Sequence, residues 1–300
     1  MSLVERALKK FQETRAPEPG TAAKPTAVGS VVVVGREHDA PATVENSPPR
    51  KKVIVSRADL RDAGVIPPPA HERIIAEQYR HIKRALIRNI TGRSEVPIEH
   101  PRLIMMTSAL SGDGKTFTSV NLALSLANEK DRTCLLVDGD VAKPHVDSLF
   151  GVQDEPGLLD ALQDDSLDVE SLILPTDVPG LSILPAGQRR EGTTELLASE
   201  RMHEILQRLE ARDPRRVVLF DSPPILLSSE ARILLSVMGQ VVFVVRAGVT
   251  PKAAVMEALG QIEEHRYVGL VLNQSQTQPS DGYYGYGYGY GSENNAANKK

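Results

Sequence analysis

The sequence predicts an α/β fold, a mostly parallel sheet with helices on both faces, and three observations lead there. Beyond Pro101 six short apolar runs alternate with stretches of helical periodicity: Leu103 to Thr107, Cys134 to Val137, Leu181 to Leu184, Val217 to Phe220, Val241 to Val245 and Val268 to Leu272. The runs are continuously apolar instead of alternating, the mark of strands buried on both faces. The first run passes through a glycine-rich turn directly into a helical pattern containing Val120, Leu122, Ala123 and Leu126.

The remaining elements follow in chain order. Residues 2–13 place Leu3, Val4, Ala7, Leu8 and Phe11 on one helical face, and Ser2 followed by Glu5 has capping-box spacing. Residues 16–50 are rich in Pro, Ala, Gly and Thr, broken by the run Val31 to Val34, and read as a linker. Residues 1–70 are thus expected to be a terminal amphipathic helix plus linker. From His71 to Ile90 the residues Ile75, Tyr79, Ile82, Leu86 and Ile90 recur at helical spacing, opening a domain expected over 71–275. The last segment, 276–300, is polar and glycine-rich with Tyr283, Tyr284, Tyr286, Tyr288 and Tyr290, a composition that predicts disorder.

Bulk properties exclude several functions. With 300 residues and 41% hydrophobic content the chain can bury a sizeable core, while a net charge of −4 offers no basic footprint for nucleic acid. The single cysteine, Cys134, builds neither a disulfide framework nor a zinc site. No apolar stretch approaches the roughly 18 residues of a membrane span. Glu5, Arg6, Lys9 and Lys10 interrupt any signal-peptide core, so a cytoplasmic location is expected.

The turn after the first strand reads Ala109-Leu110-Ser111-Gly112-Asp113-Gly114-Lys115-Thr116, followed by Phe117. Placed between a strand and a helix, it matches a phosphate-binding P-loop of the Walker A kind, with Ala109 where the common pattern has its first glycine. The glycines let backbone N–H groups turn toward phosphate oxygens, Lys115 reaches the β and γ phosphates, and the Thr116 hydroxyl is placed to ligate Mg²⁺. ATP and Mg²⁺ are the expected ligands.

Two acidic motifs end later strands. Asp138-Gly139-Asp140 puts two carboxylates at the C-terminal edge of the sheet, where open α/β sheets bind ligands. Asp221, followed by Ser222-Pro223-Pro224, has the form of a Walker B motif whose carboxylate holds Mg²⁺ directly or through water. Ser222 stands where many ATP-hydrolysing relatives of this loop carry a water-activating glutamate, which mildly favours transfer to another acceptor.

A deviant Walker A, an Asp-x-Asp strand end and an Asp-x-Pro-Pro Walker B together resemble the bacterial tyrosine autokinases. The likeness runs over most of residues 72–291 and includes Asn121-Leu122-Ala123, Lys143-Pro144, Glu195-Leu196-Leu197, Val271-Leu272-Asn273 and the tyrosine-rich end. The opening Ser2 to Leu8 and the stretch Glu77 to Arg84 look most like the subgroup associated with exosortase and exopolysaccharide gene clusters.

The resemblance implies roles. The loop Ser111 to Phe117 holds phosphates, Thr116, Asp140 and Asp221 organise Mg²⁺, Asp138 orients or deprotonates the acceptor phenol, and Asn273 lies near the adenine. The five tail tyrosines are the implied phosphoacceptors. Glu77, Arg80 and Lys83 match a family motif for contacts between subunits of a homo-oligomer, except that lysine replaces the last arginine, with Arg84 beside it. A separate transmembrane polysaccharide co-polymerase is the implied activator, recruiting the protein to the inner membrane. Two rivals stand beside this reading. A partitioning or positioning ATPase shares the fold but carries a signature lysine where this chain has Leu110; a non-catalytic assembly adaptor would not need its lysine and acids intact.

Overall fold

The computed structural model describes residues 51–94, 97–189, 192–262 and 267–275. The expected terminal helix, the 16–50 linker and the tyrosine segment lie outside them.

Seven strands form one sheet in the order β3-β4-β2-β5-β1-β6-β7. They are β1 Leu103–Ser108, β2 Thr133–Asp138, β3 Leu174–Pro175, β4 Leu181–Leu184, β5 Arg216–Asp221, β6 Gln240–Arg246 and β7 Tyr267–Asn273. Every pairing is parallel except that of the two-residue β3 with β4. The six expected strands are present, each within two residues of its expected bounds. β3 was not expected, because two residues carry no periodicity to detect.

Strand alternation divides the core into two layers. Ile104, Met106, Leu136, Leu219 and Val244 pack with Val120, Leu122 and Leu126 of α3 (Lys115–Ala127), which in turn packs against α2 (Pro69–Ile90). Met105, Phe220 and Phe243 are equally buried, on the side where α8 (Glu200–Arg212) lies on β5 and α9 (Ser229–Val237) on β1. The ends of these helices follow local chemistry. Ser199 caps α8 by accepting from Met202 N, Ser228 caps α9 by accepting from Ala231 N, and Pro69 opens α2, where a missing N–H costs nothing.

The packed unit begins at Lys52, ahead of the expected boundary at 71. Val53 donates to Pro175 O at 2.9 Å, and Val53, Val55, Leu60, Val65 and Ile66 join the core, with α1 (Arg57–Asp62) between them. Asn121 Nδ2 of α3 donates to Val65 O at 2.7 Å, tying this arm down. Single apolar residues spaced through a proline-rich stretch give no sequence signal of such docking. Between α3 and β5 the short helices α4 (His145–Phe150), α5 (Leu158–Gln163), α6 (Val169–Leu172) and α7 (Thr193–Leu197) complete the unit, and α10 (Lys252–Leu259) precedes β7. Among the described residues no helix is long and apolar enough to cross a membrane.

α2 presents a stripe of Tyr79, Lys83, Leu86 and Asn89 to the core. Lys83 is therefore a correction to the expected subunit-contact set. Its Nζ bonds Ser125 O at 2.9 Å and pairs with Glu129 at 2.6 Å, satisfying the carbonyl end of α3 from within the same chain. Glu77 and Arg80 form an ion pair on the exposed face, and Arg84 is exposed beside them. A lysine at this position neutralises a neighbouring helix end and is not free to bridge subunits.

Candidate active site

The strand register assembles the site. Asp138 of β2 lies directly across from Asp221 of β5, and Met106 of β1 pairs with Asp221 on the other side, so both acidic motifs and the P-loop meet at the C-terminal edge of the sheet. They line a cleft of about 600 Å³, together with Ser111, Gly112, Gly114 to Phe117, Asp140, Lys143, His145, Ser222, Pro223, Pro224, Leu227 and Glu230.

The loop is built around its glycines. Gly112 and Gly114 have φ of +83° and +94°, the left-handed region closed to most side chains. A Cβ on Gly114 would lie 1.9 Å from Asn273 Nδ2, which itself donates to Asp113 O at 2.9 Å. The helical ladder of α3 starts only at Thr118 N, bonded to Gly114 O, so the N–H groups before it remain available to a ligand. Asp113 stands within the expected phosphate loop, and its side chain supports that loop from inside. Its carboxylate is buried and turned inward, accepting from Leu110 N at 3.1 Å and Thr250 Oγ1 at 2.6 Å, and so holds the loop's shape.

Asp221 is the electrostatic centre. Thr116 Oγ1 donates to its Oδ2 at 2.7 Å and Ser119 Oγ to its Oδ1 at 2.8 Å. Burial pushes this carboxyl above its ordinary pKa, against the pull of those hydroxyls and of Lys115. Burial likewise lowers the Lys115 ammonium, opposed by Asp221, Asp140 and Asp113. Lys115 Nζ reaches Ser108 Oγ at 3.3 Å, back along the loop. Ser119 had not been singled out, although hydroxyls at i and i+3 of one helix share a face and that spacing was the available signal.

Asp138 departs from expectation. It is fully buried, absent from the cleft lining, and both its oxygens accept backbone N–H groups, from Asp140 at 3.2 Å and Asp147 at 3.0 Å. Burial, with the nearby Asp147 and Asp221 charges, drives its pKa well up. Asp147 accepts from Ala186 N at 3.0 Å in turn and is pushed up to about 6, mainly by burial. Asp138 thus pins the loop that presents Asp140. Asp140 does line the cleft, and its Oδ1 accepts from Lys143 N at 3.1 Å. Among the described residues no three His, Cys, Asp or Glu side chains cluster as a metal cage.

The AAA domain family model matches residues 101–265. The tyrosine-protein kinase YwqD of Bacillus subtilis is 30% identical over 235 residues, covering 77% of this chain and 94% of that protein. This chain belongs to the bacterial tyrosine-protein kinases. The tyrosine kinase domain fold extends to the Escherichia coli kinase ETK, whose kinase domain is 26% identical with a TM-score of 0.55, covering 69% of this chain and 80% of that one. A putative tyrosine-protein kinase of Ralstonia nicotianae, EpsB, is 34% identical over 54% of this chain, which spans only 21% of its length. In this tyrosine kinase the P-loop fold makes the cleft a nucleotide site.

Gly114→Ala tests the loop geometry. Left-handed strain and the overlap with Asn273 act together, so nucleotide affinity should fall by about tenfold or more, read by titration with a fluorescent ADP.

Proposed function

We propose that this tyrosine kinase transfers the γ-phosphoryl group of ATP to tyrosines of its own C-terminal segment, Tyr283 to Tyr290, and thereby regulates exopolysaccharide synthesis or export. One observation carries the reading: the last described strand ends against the P-loop through Asn273, and the tyrosine run begins ten residues later. Ten residues reach up to about 35 Å, ample for a phenol to enter the cleft of its own or a neighbouring copy.

The residues present fit a nucleotide with Mg²⁺. Ser222 Oγ is buried with no hydrogen-bond partner among the described residues, beside Asp221 on the cleft, where a phosphate oxygen or metal-bound water would satisfy it. Thr116 and Asp221 would hold Mg²⁺, with Asp140 alongside, and the ion would neutralise the charge of the transferring group. Lys115 and the loop amides would hold the phosphates. In the transfer the phenolic oxygen bonds to the γ-phosphorus while the bond to the β–γ bridging oxygen breaks, releasing ADP. The proton passes to Asp140, because it lines the cleft with one carboxylate oxygen not taken by Lys143 N, whereas both oxygens of Asp221 are engaged by Thr116 and Ser119 and Asp138 is not in the lining. Asp138 is the positioning residue for that acid.

Glu77, Arg80 and Arg84 are the proposed contacts of a homo-oligomer, and a transmembrane polysaccharide co-polymerase the proposed activator and membrane recruiter. Each phosphate adds about 1.5 to 2 negative charges, so a modified tail repels the acidic site and loosens the assembly. The test is mass spectrometry of the full chain after incubation with ATP and Mg²⁺, with and without the co-polymerase's cytoplasmic end. Phosphate on Tyr283 to Tyr290 is expected. ATP consumed without tyrosine labelling would return the partitioning-type ATPase reading, and bound nucleotide without either would return the adaptor.

A further inference from the structure

We propose that the turn between β5 and α9, through Leu227, is the docking surface for the tyrosine rings of the C-terminal segment Tyr283 to Tyr290; this rests on the phosphotransfer reading above. Leu227 is 63% exposed, on a cleft whose other apolar lining is the half-buried Phe117, the small Ala142 and the buried Pro223 and Pro224. An apolar side chain held out at the mouth of a phosphate site offers nothing to a nucleotide's phosphates and is suited to an aromatic ring.

The turn is rigid, so this exposure is not that of a loose loop. Leu227 N donates to Pro224 O at 3.2 Å, Ile225 N to Ser108 O at 2.9 Å, and Thr107 Oγ1 to Pro223 O at 2.8 Å, fastening the turn to β1 on its inner side. On its outer side Glu230 accepts from Ser228 Oγ at 2.7 Å and from Thr194 Oγ1 at 3.3 Å, joining it to α7. Ile225 is fully buried beneath. Leu227 therefore stands in one place relative to Asp221 and Lys115, as a substrate contact must.

The occupant follows from what the tail can offer. From Tyr284 to Gly291 tyrosine and glycine alternate, so an entering tyrosine brings no neighbouring side chain by which it can be told from any other polypeptide. Recognition must come from the ring and the backbone. An apolar contact for the ring, usable by each repeat in turn, serves the five acceptors, and the chain leaves β7 beside the P-loop that lines the same cleft.

The experiment uses the full chain with Mg²⁺ and ADP, titrated with a fluorescent peptide of residues 281–291. Leu227→Ser should weaken peptide binding about tenfold and Leu227→Met less than twofold, since methionine restores the apolar contact. ADP affinity measured on the same samples reports that the fold is intact. A peptide with every tyrosine changed to phenylalanine should bind as the parent does, and one with serine should not bind. Equal peptide affinity for wild type and Leu227→Ser, or no peptide binding by wild type, overturns the docking surface. The two readings separate in the labelling reaction with ATP. Wild type that binds the peptide through Leu227 yet never labels it sinks the phosphotransfer reading alone. Labelling with the same KM in wild type and Leu227→Ser sinks the docking surface alone.

Discussion

Lys115→Met should abolish tyrosine labelling of the tail, by about 10³-fold or more, in a chain that still folds. Lys115 is largely buried among Asp113, Asp140 and Asp221, and burial already lowers its pKa, so the protein maintains a desolvated cation at some cost. Such a group is retained for a ligand of opposite charge, here the β and γ phosphates. Methionine keeps the length and apolar stem but removes the charge, leaving three carboxylates without their shared counterion. Their mutual repulsion should also weaken nucleotide binding in the absence of Mg²⁺ more than in its presence. Labelling by mass spectrometry and fluorescent-ADP titration with and without Mg²⁺ check both parts. A variant that labels its tail within tenfold of wild type would remove Lys115 from the transfer machinery.

Asp221→Asn should separate function from stability. The buried carboxyl has a pKa above its ordinary value, which means that folding disfavours its charged form. The sign follows directly: the folded chain binds the proton more tightly than the unfolded one, so this group's contribution to stability falls as pH rises from its unfolded pKa through its raised folded pKa. The penalty grows across that window and is complete only above the raised folded pKa. Asparagine removes it, while its carbonyl still accepts one hydroxyl and its amide donates to the other, so thermal stability at pH 7 should equal or exceed that of wild type. Transfer should nonetheless drop about 10²- to 10³-fold, and Mg²⁺ should no longer tighten nucleotide binding. The checks are thermal melts at pH 7 and Mg²⁺ titrations. A Tm several degrees lower with Mg²⁺ dependence preserved would make Asp221 a structural residue.

Much of this molecule was legible without coordinates because its strands and its loop are local patterns. A continuous apolar run of five residues between helical stretches is a buried parallel strand wherever it occurs, and six such runs specified the sheet. Gly112, Gly114, Lys115 and Thr116 announced the phosphate loop for a similar reason: the chemistry needs those residue types at consecutive positions, and the structure gives both glycines the positive φ the loop requires. Asp221 was found the same way, at the end of its strand.

What sequence could not settle was where side chains go once elements pack. Asp138 and Asp140 look alike two residues apart, yet one is sealed under two backbone N–H groups and the other lines the cleft, because α4 brings Asp147 N onto Asp138. Lys83 and Arg84 are adjacent cations on a helix, and only the position of α3 turns the first onto Glu129 and leaves the second in solvent. Asn273, 160 residues beyond Asp113, reaches the P-loop through the β6–β7 pairing. Sequence alone determined the sheet, the phosphate loop and the acidic strand ends, all set by periodicity and short-range spacing. Tertiary structure alone decided which acids face the cleft, which cation is internal, and that Leu227 stands exposed at its mouth, since burial and hydrogen bonding depend on elements distant in the chain.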